Sequence, residues 1–287
     1  MVLRSANHGP IDQRPGKSRV LGRGRDRCHA EGVPSVMSMS ELDRAVAEFE
    51  VADLGLVIDR AALAAAQSSL DSSGLLLLGE THGVRENPLL IRALMQTFGL
   101  TTLALEWGEF LAPAIEAFLA SGMLADDRWL WSGDGRITAG HLAVLAERAA
   151  AGPLQLIFFD GPVDADWTWS QMDEAMAARL LAAAPAGTPA LAVAGGYHTP
   201  TSPIELGVPM GAWLARQRPG VQEIQIRYGG GRFYNLGPCE FERRMSPEQP
   251  LRLHQLDGAL VLDLPRASEA VVPHRPQQWP APAGNPH

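Results

Sequence analysis

Cysteine is almost missing from this chain. Its 287 residues hold two, Cys28 and Cys239, too few for a disulfide framework or a thiolate zinc cluster. Basic charge is in the minority, 24 Lys+Arg against 32 Asp+Glu. That excludes nucleic acid as an expected partner, because a binder needs a basic face to neutralise phosphates. No apolar run approaches the length of a membrane span, and the N-terminus shows no apolar leader segment. A cytoplasmic protein without membrane contact is therefore expected. What the chain does have is 46% hydrophobic and 20% charged residues, enough for a sizeable core.

The two ends read differently from the middle. Residues 1–38 carry seven basic residues against three acidic ones, spaced by Gly and Pro without a hydrophobic period, and are expected to form a disordered basic extension. Residues 265–287 contain six prolines and are expected to be a Pro-rich flexible tail. Residues 39–264 remain as a single α/β domain. They hold 15 basic against 28 acidic residues, net −13, so the acidity belongs to the folded part.

Within that domain, short apolar runs alternate with helical stretches. Strands are expected at Leu75–Leu78, Leu100–Leu105, Leu154–Phe159, Ala190–Ala194, Glu223–Ile226 and Ala259–Leu262. Continuous apolar runs bounded by turn residues suit strands covered on both faces, as in parallel sheets. Ser40-Glu41-Leu42-Asp43 and Ser170-Gln171-Met172-Asp173 read as helix-opening capping boxes. Further helical stretches are expected over Pro88–Phe98 and Thr138–Ala151. Gly229-Gly230-Gly231 reads as a hairpin tip between Tyr228 and Phe233. The resulting β-α-β order predicts an α/β fold with a mostly parallel central sheet and helices on both faces.

The residues ending these strands carry the functional signal. Leu78 is followed by Gly79-Glu80-Thr81-His82-Gly83, Leu105 by Glu106-Trp107, Phe159 by Asp160-Gly161-Pro162, and Ala194 by Gly195-Gly196-Tyr197-His198. Ligands of open α/β sheets bind in the crevice at the carboxyl ends of the strands. If these four strands are parallel neighbours, Glu80, His82, Glu106, Asp160 and His198 face one cleft. Imidazoles with carboxylates serve two chemistries. Glu80, His82, His198 and Asp160 suit a divalent metal such as zinc, manganese or iron that activates water. Without a metal, a histidine beside a carboxylate is a general base and a second histidine an acid or oxyanion partner. Structural roles compete: Glu106 could simply pair with Arg85 or Arg92, and Asp160 before Gly-Pro equally suits a turn. Trp129, Trp131 and Arg136 lie on a loop that either covers a substrate or packs as a connection, and Trp167 with Trp169 forms a second such pair. No Gly-x-Ser-x-Gly elbow occurs, which argues against a serine hydrolase.

Gly79-Glu80-Thr81-His82-Gly83-Val84-Arg85-Glu86 resembles the opening motif of the erythromycin-esterase-like proteins. More broadly it resembles the superfamily that joins them to haem-binding ChaN-like proteins and Tiki-type metalloproteases. Glu106 and Gly195-Gly196-Tyr197-His198 fit the same order, and the resemblance spans residues 74–200. It implies an α/β core and a cleft in which His82 is general base or metal ligand, Glu80 its partner and His198 the second histidine. Arg85 stands where the esterase-like motif often has an arginine. The Glu80-Thr81-His82 spacing follows the ChaN and Tiki branches. The expectation is a hydrolase acting on an ester or amide of a small-molecule substrate. The alternative is a non-catalytic haem- or iron-binding protein, for which Tyr197 beside His198 offers axial ligands.

Overall fold

The computed structural model describes residues 27–28, 39–124 and 133–273. Eight strands form one sheet. In chain order they are β2 (Val57–Ile58), β3 (Leu75–Glu80), β4 (Thr102–Gly108), β5 (Gln155–Asp160), β6 (Ala190–Gly195), β7 (Gln222–Tyr228), β10 (Arg252–Leu256) and β11 (Ala259–Leu264). Their spatial order is β2-β10-β11-β7-β3-β6-β4-β5. All neighbouring pairs are parallel except the β10–β11 hairpin. The expected mostly parallel α/β sheet is thus present, and the four expected strand ends belong to neighbours: β3, β6, β4 and β5 run side by side.

Side-chain alternation divides the core into two layers, because successive residues of a strand point to opposite faces. Leu76, Leu78, Leu103, Leu105, Leu191 and Val193 pack on one face with α2 (Arg60–Ser73), α3 (Asn87–Thr97), α4 (Ala112–Ser121) and α5 (Ala139–Ala151). Leu75, Leu77, Ala104, Phe159, Ala192 and Ala194 pack on the other against α6 (Trp169–Ala183) and α7 (Met210–Gln217). A strand such as β3 is buried at every position because both faces are covered.

Several expectations give way to different local structure. The first helix, α1, begins at Met39 and runs to Ala47, so Ser40 lies within it. The capping box of α6 is formed by Thr168 and Gln171, two residues before the expected serine, which frees Asp173 to face inward. Gly229–Gly231 is not a hairpin tip. It carries the chain from β7 into a separate antiparallel sheet, β1 (Arg27–Cys28), β9 (Pro238–Phe241) and β8 (Gly231–Tyr234). There β1 sets Cys28 across from Cys239.

Residues 265–273, expected to begin a flexible tail, are packed. Ala267, Ala270 and Val272 are buried, and their backbone straps the loop after β3. The Arg85 N–H donates to Ser268 O, the Ala270 N–H to Gly83 O, and the Ala139 N–H to Val271 O. The Glu86 carboxylate accepts the Ser268 N–H at 2.9 Å. An alanine methyl and a valine suffice here because backbone hydrogen bonds do most of the anchoring. Trp129 and Trp131 fall outside the described residues. Among the described residues no helix is long and apolar enough to cross a membrane.

Candidate functional site

Strand register brings the site together. Glu80 at the end of β3 lies opposite Gly195 at the end of β6, and β4 flanks β6 on its other side with Leu105 opposite Val193. One residue on, β4 bulges against β5, and the Glu106 side chain accepts the Gly195 N–H at 2.7 Å. The carboxylate thereby does for β6 what a backbone carbonyl would do in a regular ladder.

The loop carrying His82 is held at three points. The Thr81 N–H donates to the Tyr228 hydroxyl at 2.9 Å, and the Asn87 amide donates to Thr81 O at 2.8 Å. Tyr228 closes this circuit by donating to Asn87 Oδ1 at 3.1 Å. Gly83 follows in a left-handed conformation, φ 72°, with its carbonyl accepting from both Tyr234 and Ala270. A methyl group on it would lie 1.8 Å from Tyr234 O, so only glycine allows this approach.

Each histidine has its own carboxylate. His82 Nδ1 is 3.2 Å from Glu80 Oε1. His198 Nδ1 is 2.8 Å from Asp173 Oδ1, whose second oxygen accepts the Met210 N–H at 2.6 Å. Trp169 stacks on the His198 ring, centroids 5.4 Å apart and planes 18° apart. The free edges of the two rings meet at Gly195. A methyl group there would lie 3.3 Å from His82 Nε2, 3.5 Å from Glu106 Oε2 and 3.5 Å from His198 Cδ2. The missing side chain is the space between the groups.

The cation of the site is Arg136. It reaches Asp134 at 2.7 Å, Asp160 at 2.9 Å and Glu106 at 3.4 Å. Asp160 joins the site through this arginine. Arg85 is not brought in; its guanidinium lies 5.1 Å over the Phe49 ring. Tyr197 is half exposed and does not line the cavity, which is bounded by Glu80, His82, Glu106, Trp107, Arg136 and His141 among others. That cavity has room for about one water molecule. Among the described residues no three His, Cys, Asp or Glu side chains gather as a metal would require. Glu80 Oε2 is buried without a hydrogen-bond partner.

Charge is finely balanced. Burial opposes protonation of His82, but the Glu80 hydrogen bond and the Glu106 charge outweigh it and hold its pKa above the ordinary value. His198 behaves alike: burial is overcome by Asp173 and Glu106. Burial would raise Glu106, yet His82, His198, Arg136 and the Gly195 N–H hold it below the usual carboxylate range. For Asp160 burial prevails over Arg136, and its pKa is raised.

No family model and no curated protein matches the chain. Among solved structures it resembles one described as bacterial protein toxins, at 19% identity and TM-score 0.40, covering 66% of this chain and 39% of that chain. The type III effector HopBA1 gives 15% identity and TM-score 0.38, covering 72% of this chain and 92% of that one. A protein from Bacillus cereus gives 10% identity and TM-score 0.45, covering 82% and 99%. These likenesses are distant in sequence and in shape.

Proposed function

We propose that this chain is a hydrolase in which two histidine–carboxylate pairs cleave an ester or amide. The observation that carries the reading is the meeting of His82 Nε2, Glu106 and the His198 ring within 3.5 Å of one point at Gly195, each ring anchored by a carboxylate at Nδ1. A carboxylate at Nδ1 fixes the proton there and leaves Nε2 as a base. In this reading His82 Nε2 takes a proton from water as its oxygen attacks the carbonyl carbon. The tetrahedral intermediate then collapses, the C–O or C–N bond breaks, and protonated His198 gives its proton to the leaving group. The raised pKa of His198, held up by Asp173 and Glu106 against burial, suits a group that must carry a proton to the leaving group.

The surroundings indicate the substrate's charge. Glu80, Glu106, Asp134, Asp160 and Asp173 outnumber Arg136, which three carboxylates already occupy. A neutral or cationic carbonyl compound suits this environment, and a phosphate ester does not. The motif Gly79–Glu86, with its resemblance to erythromycin-esterase-like, ChaN-like and Tiki-type proteins, agrees in residue types with a water-activating centre. The described residues do not gather as ligands for a metal ion.

The test is hydrolysis of neutral and cationic p-nitrophenyl esters and anilides by the purified protein, with and without chelator. His82→Ala and His198→Ala are expected to lower kcat by about 10²-fold or more, with activity unchanged by chelator. Full activity in both variants would dismiss the site. Loss of wild-type activity on chelation would instead make a divalent ion part of it.

A further inference from the structure

His141 plays no part in the reaction just described, yet it lies in the same cavity. It is 4% exposed, occupies the first turn of α5 and lines the cavity with Glu80 and His82. Trp107 meets its ring edge-on, centroids 5.9 Å apart and planes at 79°. Its Nδ1 lies 2.9 Å from Thr138 Oγ1, which also accepts the His141 backbone N–H at 3.2 Å.

This pairing decides where the ring proton sits. Thr138 is fully buried, so its hydroxyl proton needs an acceptor, and a buried donor left unmade costs about 1–3 kcal/mol. Giving that proton to Nδ1 satisfies the hydroxyl while its oxygen still accepts the backbone N–H. The ring proton is then on Nε2, the one polar atom the ring has left to present. Burial favours the same neutral state and keeps the pKa below the ordinary imidazole value, although Glu80 is near. The cavity also holds the buried, unpartnered Glu80 Oε2. A wall with one fixed donor and one open acceptor is built for a hydrogen-bonding guest.

We propose that His141 is a further catalytic residue of this centre, a neutral imidazole whose Nε2–H donates to the substrate's carbonyl oxygen and holds the negative charge that forms there. The inference rests on the hydrolase reading for its substrate and on Thr138 for its donor state. A neutral imidazole suits an oxyanion because its proton is shared in the transition state without being lost to solvent beforehand. It would also supply what Arg136, held by three carboxylates, does not.

Two measurements test it. In the full-length protein labelled with ¹⁵N-histidine, His141 should be a neutral Nε2–H tautomer at pH 7 and charge only below the ordinary imidazole value, while His82 and His198 titrate above it. A proton on Nδ1, or a ring that charges at or above the ordinary imidazole value, overturns the assignment. In kinetics, His141→Phe should lower kcat by about 10²-fold with KM changed only a few-fold, the loss typical of one missing oxyanion donor. His141→Gln, which offers an N–H near the same place, should recover about 10-fold of that loss. Undiminished kcat in His141→Phe overturns the proposal, as does a Gln variant no better than Phe when both are folded by circular dichroism. A wild type inactive on every ester and anilide strikes the hydrolase reading instead, and the donor assignment is then decided by the tautomer alone.

Discussion

A single methyl group should test the centre more sharply than removing its histidines. Gly195→Ala would place a carbon 3.3 Å from His82 Nε2 and 3.5 Å from Glu106 Oε2, in the space where the reacting atoms must sit. The contact with His82 asks that ring to give by a few tenths of an ångström, and those with Glu106 and His198 are ordinary van der Waals distances. Turnover should fall by about 10²-fold, since ångström-scale misplacement costs that much, while the thermal midpoint stays within a few degrees. Unchanged turnover would mean that the chemistry lies elsewhere. The raised His82 pKa makes a second prediction. As a base the ring must be neutral, so kcat/KM should rise with pH along a limb centred above about 6.5, the ordinary imidazole value. Glu80→Gln removes the partner that raises it, and should move that limb to lower pH while reducing the maximal rate. The sign for stability is opposite. The charged, paired form of His82 contributes fully below about 6.5 and is lost as pH rises through the folded value. Glu80, His82, Glu106 and His198 could be read in the sequence because each lies at the end of a strand or within three residues of it. Asp173 and His141 could not: each sits in a helix, where a charged or polar residue is ordinary, and Arg136 showed only as part of a loop that could cover a substrate. Only the parallel sheet brings Asp173 to His198, 25 residues on.

The strand ends were readable because apolar runs bounded by Gly and charged residues mark both the strand and its exit. The strap over residues 265–273 was not. Proline and small residues there signalled a tail, whereas hydrogen bonds from the strap's own backbone to Gly83, Arg85, the Glu86 carboxylate, Ala139, Gly230 and Arg232 leave no trace in its side-chain pattern. The glycine run after Tyr228 was misread for a related reason: turn residues announce a change of direction, not which sheet the next strand joins. Deletion of residues 265–287 should therefore release the loop that carries His82. At about 1 kcal/mol for each of six lost hydrogen bonds, the chain should lose about 6 kcal/mol in denaturant unfolding together with its activity. A chain ending at Pro273 keeps the strap and should keep both. Equal behaviour of the two truncations would show that the strap anchors nothing.

Across the whole molecule the two apolar layers share the same strands. Leu77 and Leu78 are adjacent in β3 and fully buried, one in each layer. Leu77→Ala and Leu78→Ala should each cost about 2–5 kcal/mol, read from urea midpoints, and each variant should still unfold in one transition. Independent melting of one layer would contradict a sheet that couples them. The division of one strand between two layers was legible from its unbroken leucine run, whereas the second, antiparallel sheet was not, since its strands are short and mixed in polarity. The strap has a further consequence for the order in which the protein is made. β3, β4, β5 and β6, with every carboxylate and imidazole at their ends, leave the ribosome before residues 265–273 are synthesised. Until then Gly83 lacks its bond from Ala270 and the His82 loop its last anchor. The bond from Ala270 to Gly83 is thus the last of that loop's anchors to form, after every strand of the central sheet has been made.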